Sequence, residues 1–495
     1  MKSSVWEKIY RGPGLGSQNS VTTLIPLVLI VALLVGGVLG ILGPYACAAA
    51  IFAMIAVIVI ALHQDALTVT LIAALHLYVD WYLGLHLFAP VLAIAALCVF
   101  YLTRSARHPW TAPGALWLWI LFLIITIYPA ARGGVLMLYD AASFYPSDIL
   151  GAFLMLWLGA IVVGDAKHRE ANIRLFFHVF TIFAVLLAIH TIIQATTGTI
   201  LFGSSHIDDF LARSDILYYQ LAGTTTDRAG SFFIDPNWNG AFFALVFFLP
   251  LGLFVSKTSI LPRICYLAEM VLILSALMFT YSTGSWIAFI AGLMTFLIFV
   301  GRMRYRFVLP IVFLIASTLI VLLFPGQVAL QLQHAQGTNE LSLRVAVWQT
   351  ALRVIQAYPL TGVGLGHQAY LTRSNPYRVP GQFVALSHPH DSYLEWAGMA
   401  GIPVLLVFLA LLIVALWQAW RNWRLVDVPL RVLIGSGITS AVTLSINSIS
   451  INGWTHFALA PIGWLILGVV SSPLIREKYR ETEGGGELCR GDQIA

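Results

Sequence analysis

NELSLRVAVWQTALRVIQAYPLTGVGLG at residues 339–366 and LSHPHDSYLEWAGMAG at residues 386–401 lie in the longest polar part of an otherwise hydrophobic chain. This part runs from about Phe324 to Gly401, and apolar segments precede and follow it. Such a pattern is typical of a membrane protein with a large loop outside the bilayer. We therefore expect an all-α, polytopic integral membrane protein with one large, partly helical loop at residues 325–390, where we also expect the chemistry.

The composition supports a membrane protein and excludes several other classes. Of the 495 residues, 59% are hydrophobic and only 10% are charged, whereas soluble domains carry about 25% charged residues. The net charge of +5 does not come from a basic soluble face, so no nucleic-acid partner is expected. The four cysteines show neither a disulfide framework nor metal-ligand spacing, so no metal is predicted.

Candidate membrane spans occur along almost the whole chain. Several are shorter than the ~20 residues that a span usually needs, so twelve to fourteen spans are expected in a single polytopic membrane domain, residues 1–495. The apolar segments lie near residues 22–43, 45–62, 66–82, 86–103, 114–131, 147–164, 174–197, 237–256, 263–281, 284–301, 305–324, 394–417, 430–448 and 456–475.

The lysines and arginines predict the orientation of these spans, because cytoplasmic loops carry an excess of them. With a cytoplasmic N-terminus and fourteen crossings, 20 of the 27 lie in cytoplasmic connections. Both termini, including the tail at residues 476–495, are therefore predicted to be cytoplasmic. The loops at residues 198–236 and 325–390 would then face outward. The seven basic residues left outside are Arg132, Arg213, Arg228, Arg344, Arg353, Arg373 and Arg378.

The helical pattern of residues 339–358 distinguishes its two arginines. At about 100° per residue, Arg344 shares a face with Trp348, Ala351 and Ile355. Such an arginine is costly to bury unless an anion meets it. Arg353 falls on the opposite, polar face, which also carries Gln349, Thr350 and Gln356.

A glycine run follows this helix, which Pro359 ends. Gly362-Val363-Gly364-Leu365-Gly366 allows a tight turn or a close approach of the backbone to a ligand. The run matches neither the dinucleotide-binding fingerprint nor a phosphate-binding loop. We therefore interpret it as a structural turn.

His390 lies next to a predicted helix start. Ser392 and Glu395 have the spacing of a capping box ahead of an apolar run, which places the start at about residue 392. The positive end of the helix dipole disfavours a charged imidazole, so a neutral His390 able to accept a proton is plausible. The alternative is an interfacial histidine that contacts only water.

The other outward loop carries polar residues of its own. Arg228 lies shortly before Asp235-Pro236-Asn237, where a turn is expected and a helix begins at about Trp238. The free amides of this helix start would favour an anion. A second small-residue turn is predicted within residues 279–289, FTYSTGSWIAF.

Four motifs occur in a fixed order: Arg228 with DPNWNGA, then YSTGSW, then Arg344-x-x-x-Trp348 with YPLTGVGLG, then HDSYLEWAGMAGIPVLLVF. The ordered set resembles the O-antigen ligase and O-antigen polymerase superfamily of bacterial envelope glycosyltransferases. The resemblance covers about residues 225–415. Many relatives carry Ser-Arg-Gly where this chain has Ser282-Thr283-Gly284, so an arginine that some members place there is missing.

The resemblance implies a membrane glycosyltransferase without cofactors. It would move a saccharide from a polyprenyl (undecaprenyl) diphosphate donor to an acceptor hydroxyl, on a lipid A core or a growing polysaccharide, at the periplasmic side of the bacterial inner membrane. Arg228 and Arg344 match positions that would bind the diphosphate, and His390, or alternatively His388, would be the base. The supporting residues would be Asp235, Asn237, Trp348 and Asp391, and membrane lipids would be further partners.

Two rival functions remain open from the sequence. A polymerase would use the same donor with a second lipid-linked saccharide as its acceptor, and the motifs do not separate it from a ligase. A lipid or saccharide transporter with this number of spans is expected to show paired broken helices near the middle of the membrane. This chain instead concentrates its polar residues in outward loops, which favours a transferase.

Overall fold

The computed structural model describes residues 115–134, 149–164, 168–198, 228–233, 235–256, 259–300, 338–380, 382, 386–456 and 458–476, with isolated positions between 318 and 329. Every regular element within these ranges is a helix, and they contain no strand. This confirms the all-α prediction.

The described α-helices are numbered here in chain order. Two short 3-10 helices, Ser231–Phe233 and Asn375–Tyr377, accompany them. The α-helices are α1 (Leu116–Ile125), α2 (Ile127–Gly134), α3 (Gly151–Val162), α4 (Arg169–Thr197), α5 (Pro236–Val246), α6 (Phe248–Ser256), α7 (Ile260–Phe279), α8 (Thr283–Val300), α9 (Thr338–Ala357), α10 (His367–Ser374), α11 (Ser392–Ala400), α12 (Ile402–Leu425), α13 (Val428–Asn447) and α14 (Leu459–Ser471).

Eight helical segments in the described ranges are long and apolar enough to cross a membrane, which confirms a polytopic membrane protein. The predicted segment at 147–164 corresponds to the shorter apolar helix Gly151–Val162. The candidates at 22–43, 45–62, 66–82 and 86–103, and nearly all of 305–324, lie outside the described residues. The eight are Leu116–Gly134, Arg169–Thr197, Pro236–Ser256, Ile260–Phe279, Thr283–Val300, Ile402–Leu425, Val428–Asn447 and Leu459–Arg476.

The predicted span at 394–417 is wrong at its start. The chain forms a separate short helix, α11, and breaks at Gly401, which has a φ of 94°. The amide of Ile402 then donates to the carbonyl of Pro359 at 2.8 Å. Because a Cβ at Gly401 would lie 2.4 Å from the carbonyl oxygen of Leu360, only glycine fits this break. The span itself is Ile402–Leu425.

Three spans form the centre of the described bundle. The segment Pro236–Ser256 is 89% buried inside the protein, and the segments that contain α13 and α14 are 72% and 83% buried. Helices α3 and α14 approach closely, since a Cβ at Gly159 would lie 2.2 Å from the carbonyl oxygen of Leu465. Small residues at such contacts let helix backbones pack where lipid offers no hydrophobic driving force.

The glycine run after α9 is a structural turn, as predicted. The amides of Val363 and Gly364 each donate at 2.9 Å to carbonyls of α11, those of Gly398 and Met399. The amide of Leu365 donates to Pro129 in α2, also at 2.9 Å. The turn therefore joins α2 and α11 and fixes where α10 begins.

Candidate functional site

Helix α9 buries a face slightly different from the predicted one. Arg353 is exposed, as predicted, and Ala351 and Val354 are fully buried. Thr350, predicted on the polar face, is also buried. Its hydroxyl is satisfied there, since it donates to the side chain of Gln382 at 2.6 Å. The centre of the packed face therefore lies nearer Thr350 than the sequence pattern indicated, and Arg344 lies at its edge.

The guanidinium of Arg344 reaches the turn that follows α13. Its Nη1 donates to the carbonyl oxygen of Ser450. Thr283 is close by, since a Cβ at the next residue, Gly284, would lie 2.2 Å from the Ser450 hydroxyl. Trp348, one helical turn after Arg344, has a buried indole nitrogen that makes no hydrogen bond within the described residues.

Arg228 is buried and held by neutral oxygens. Its Nε donates to the carbonyl oxygen of Thr280 at 3.1 Å, and its Nη2 donates to Oδ1 of Asn237 at 2.7 Å. These bonds position the guanidinium without neutralising it. The side chain of Asn237 thus supports Arg228 directly.

Asp235 caps helix α5, which begins at Pro236 rather than at the predicted Trp238. Its carboxylate accepts from the amide of Asn237 at 2.7 Å, so it occupies one of the amides predicted to be free for an anion. Burial raises the pKa of Asp235, while the charges of Arg228 and Arg344 act in the opposite direction. Both predicted diphosphate-binding arginines therefore act on one buried carboxyl group.

Three histidines form a row beside Arg344. The rings of His388 and His390 lie 4.3 Å apart at 70°, and those of His367 and His388 lie 5.4 Å apart. Burial lowers the pKa of His388 well below its usual value, and the neighbouring charges of His390, His367, His456 and Arg344 lower it further. The imidazole of His388 is therefore neutral near pH 7 and can accept a proton.

The backbone of His390 is strained. Its φ of 52° lies in the left-handed region, which a residue other than glycine rarely adopts. Its amide donates to Nδ1 of His388 at 3.3 Å. Strain of this kind persists only where surrounding contacts fix the residue, and it occurs often at functional sites. The conformation brings the two candidate bases together.

Helix α11 begins at Ser392, as predicted, but its cap differs from the predicted capping box. Asp391 is the cap, and its Oδ1 accepts from the amides of Tyr393 and Leu394 at 2.8 Å. The Ser392 hydroxyl instead accepts from the amide of Trp454 at 2.9 Å. A carboxylate one residue earlier outcompetes the hydroxyl for the free amides. Burial raises the pKa of Asp391 to about 6.

Glu395 and His367 were missed by the sequence analysis as functional residues. The carboxylate of Glu395 is fully buried, its Oε1 lies 3.0 Å from Nε2 of His367, and its Oε2 accepts from the Thr455 hydroxyl at 2.5 Å. The Tyr370 hydroxyl lies near it, and its pKa is raised by burial and by the charge of Glu395. The sequence does carry a signal for Glu395. An acidic residue in an apolar helix is costly to bury without a partner, as was argued for Arg344.

The turn between α13 and α14 was also missed, although it lies at the centre of the site. Its Ser450 binds Arg344, and its Asn452 accepts from the indole of Trp238 at 2.7 Å. The rings of Trp238 and His456 lie 4.0 Å apart. This turn therefore joins the Arg228 region to the histidine row.

The site as a whole combines fixed arginines with neutral or buried titratable groups. Arg344 acts on the carboxyl group of Asp235 and on the imidazole of His388, so the predicted diphosphate-binding arginine and one predicted base are close together. Histidine, cysteine and acidic side chains in the described ranges form no group suited to a metal ion.

Residues 268–409 match a protein-family model described as O-antigen ligase. This region of the chain is therefore similar to an O-antigen ligase domain. The matched region includes Arg344, the histidine row and Glu395, whereas Arg228 and Asp235 precede it. A comparison with curated proteins finds no match.

The O-antigen ligase domain confirms the resemblance drawn from the ordered motifs. It identifies an O-antigen ligase- or polymerase-like membrane enzyme of polysaccharide assembly. Together with the eight apolar spans, it makes the chain a multi-pass membrane protein.

Proposed function

We propose that the chain is a glycosyltransferase that moves a saccharide from a polyprenyl diphosphate donor to an acceptor hydroxyl. The observation that carries this proposal is the position of Arg344, whose charge acts on both Asp235 and His388. A transferase of this kind needs cations for the leaving diphosphate and a base for the acceptor. Both lie together here.

In the proposed reaction, the bond between the anomeric carbon of the sugar and the diphosphate oxygen breaks. The acceptor oxygen bonds to that carbon, and its proton passes to an imidazole. The released diphosphate gains negative charge, which Arg228 and Arg344 stabilise. Arg228 suits this role because its hydrogen bonds go to the neutral oxygens of Thr280 and Asn237, and its charge also acts on the carboxyl group of Asp235.

His390 is proposed as the base, with His388 as the alternative. The rings of His390 and His388 are neighbours, so either imidazole is near the same acceptor hydroxyl in the proposed complex. Asp391 holds the backbone at the start of α11, and Asn237 holds the guanidinium of Arg228. Asp235 and Trp348 complete the proposed supporting set.

The proposed location is the periplasmic face of the bacterial inner membrane, with both termini in the cytoplasm. The acceptor is a lipid A core, as in a ligase, or a growing lipid-linked polysaccharide, as in a polymerase. The arginines and histidines serve both acceptors equally, because only the hydroxyl takes part in the chemistry.

The test is a transfer assay with purified protein in liposomes. The donor is a polyprenyl diphosphate with a labelled saccharide, offered with an acceptor oligosaccharide. Labelled product and free polyprenyl diphosphate should appear in equal amounts and only when the acceptor is present. The donor should not stay intact with either acceptor, a lipid A core or a lipid-linked saccharide. An intact donor after prolonged incubation with folded protein and each acceptor would contradict the proposal.

A further inference from the structure

A second pair of arginines lies apart from Arg228 and Arg344. Arg132 is in the last turn of α2, and Arg373 is in the last turn of α10. Nη1 of Arg132 donates to the Thr361 hydroxyl at 2.6 Å, and Nη1 of Arg373 donates to the carbonyl oxygen of Val363. Both arginines are thus anchored on the same glycine turn.

These two guanidinium groups lie close together. Their anchors on the turn are two residues apart, which spans at most about 7 Å of chain. Burial lowers the pKa of Arg373, and the charge of Arg132 lowers it further. Within the described ranges neither arginine forms an ion pair with a carboxylate. Two like charges held together in this way are stabilised by a bound anion.

Aromatic rings lie beside the two arginines. The guanidinium carbon of Arg132 is 4.8 Å from the centre of the Tyr358 ring. The rings of Tyr358 and Tyr377 are 6.1 Å apart at 80°, and their side chains are hydrogen-bonded. All four side chains remain partly exposed. They therefore present charge, phenol hydroxyls and ring faces to a ligand.

We propose that Arg132 and Arg373, with Tyr358 and Tyr377, bind a phosphate or carboxylate group on the saccharide acceptor. This inference rests on the proposed function, because it assigns the acceptor of the same reaction. The planar forks of two arginines match such groups. Aromatic side chains supply apolar faces together with hydroxyl groups for a sugar ring.

The position of this pair suits an acceptor better than the donor diphosphate. The donor groups, Arg228 and Arg344, contact Thr280, Asn237 and the turn after α13. The second pair instead contacts the glycine turn, which leads directly into His367 at the end of the histidine row. An acceptor held there lies near the His367 end of the row, where His388 is the next ring.

The experiment compares three acceptor oligosaccharides that share the same reactive sugar. One carries a phosphate, one a uronic carboxylate, and one is neutral. We expect wild-type protein to use each charged acceptor at least about tenfold more efficiently than the neutral one, as charge-assisted hydrogen bonds would give. The double variant R132Q/R373Q should bring both ratios close to one.

Two further variants separate recognition from damage to the fold. R132K/R373K keeps both charges and should retain part of the preference, whereas R353Q removes an exposed charge and should retain all of it. An equal fall of R132Q/R373Q on all acceptors would mean that the arginines only stabilise the turn, and would overturn the inference. Equal use of all acceptors by wild type would overturn it too, although the proposed transferase would stand.

The membrane offers a second source of the same anionic chemistry. The assay is therefore run in vesicles of phosphatidylcholine, with and without phosphatidylglycerol. The acceptor preference should be the same in both. A preference that appears only without phosphatidylglycerol, or an effect of R132Q/R373Q that depends on this lipid alone, would assign the pair to lipid headgroups instead. No product from any acceptor would count against the proposed function itself.

Discussion

Arg344 and Arg353 belong to the same helix, yet only the guanidinium of Arg344 reaches the candidate site. Arg344→Lys keeps a charge but loses the planar fork, so transfer should fall by an order of magnitude or more, on the ~1.5–3 kcal/mol scale of charge-assisted hydrogen bonds. Arg353→Lys should be nearly silent because its side chain is exposed. Initial rates of saccharide transfer measure both, and equal losses would contradict the roles given to the two faces.

Substitution of His390 and His388, one at a time, distinguishes between the two candidate bases. If His390 is the base, His390→Ala should slow transfer by roughly 10²–10⁴-fold while donor binding, which we propose depends on Arg228 and Arg344, remains. His388→Ala should do far less. A labelled donor in a binding assay and a transfer assay distinguishes the two effects. An inactive His388→Ala beside an active His390→Ala would move the base to His388, and near-normal rates in both would remove support for a histidine base.

Transfer should also depend on pH in a defined direction. The base must be neutral, and the environment lowers the pKa of His388 below its usual value. If His388 is the base, its half-protonation therefore lies below the unperturbed ~6.5. The rate should be flat near pH 7 and should fall as the pH drops below that value. A rate profile that already falls between pH 8 and 7 would argue against a neutral His388 as the base.

Glu395 tests whether the carboxylate beside this row matters. Glu395→Gln keeps acceptor and donor atoms for Thr455 and His367 but removes the charge. We expect folding to persist and the maximal rate to fall about tenfold, equivalent to ~1.4 kcal/mol, with little change in the Michaelis constant. Rates measured over acceptor concentration give the separation. A lower melting temperature with an unchanged maximal rate would mean that Glu395 only supports the fold.

Residues such as Arg344 could be found from the sequence because helical periodicity alone indicates an arginine on a packed face. The pairing of His367 with Glu395 could not, because the two are 28 residues apart and the path of the chain between them is not fixed by any local pattern. From the sequence, Arg132 and Arg373 were assigned only to the connections that face outward from the membrane. Their common anchor on Thr361 and Val363 depends on tertiary structure.

Among the elements, the glycine turn carries the strongest geometric constraint. Gly362 has a φ of 61°, and a Cβ there would lie 2.2 Å from the carbonyl carbon of Met399. Gly198 has a similar φ of 68°, but a Cβ added there would meet nothing within 4 Å among the described residues. Gly198→Ala should therefore lower the free energy of unfolding only by the cost of a left-handed backbone at alanine, about 1–2 kcal/mol. Gly362→Ala should cost distinctly more, since the turn must move away from α11.

Thermal unfolding of the purified variants in detergent measures this difference. Gly362→Ala should lower the melting temperature more than Gly198→Ala. It should also reduce transfer, because the turn positions His367, Arg132 and Arg373. Similar small shifts for both glycines would show that the turn adapts to a side chain, and the constraint would then lie elsewhere.

Element boundaries were predicted less well than element types, for a physical reason. The apolar run that begins at Leu394 is continuous in hydrophobicity, so its average does not detect the break at Gly401. A glycine followed by Ile402 and Pro403 was nevertheless a local signal, because glycine ends helices and proline favours the first turn of the next. At α11 the start was correct and the capping residue was not, since Asp391 and Ser392 both suit a cap.

At the scale of the whole molecule, hydrophobicity predicts the spans but not their places in the bundle. Pro236–Ser256 and Thr283–Val300 are similarly apolar, yet 89% of the first and 33% of the second are buried inside the protein. Lipid and protein core are equally apolar, so a sequence does not separate a lipid-facing helix from a central one. The polar turn between α13 and α14 was predicted as a connection between two spans, but its contacts with Arg344 and Trp238 depend on tertiary structure.

The orientation of the molecule is the last prediction, and the reaction compartment depends on it. In a variant without native cysteines, a single cysteine at Gly337 or Ser205 should react with a membrane-impermeant thiol reagent added outside intact spheroplasts. A cysteine at Arg304 should react only after the membrane is opened. The physical reason is the excess of lysine and arginine in one set of connections. Labelling at Arg304 in intact spheroplasts would reverse the orientation. Arg228, Arg344 and the histidine row would then face the cytoplasm, and a periplasmic transferase would be excluded.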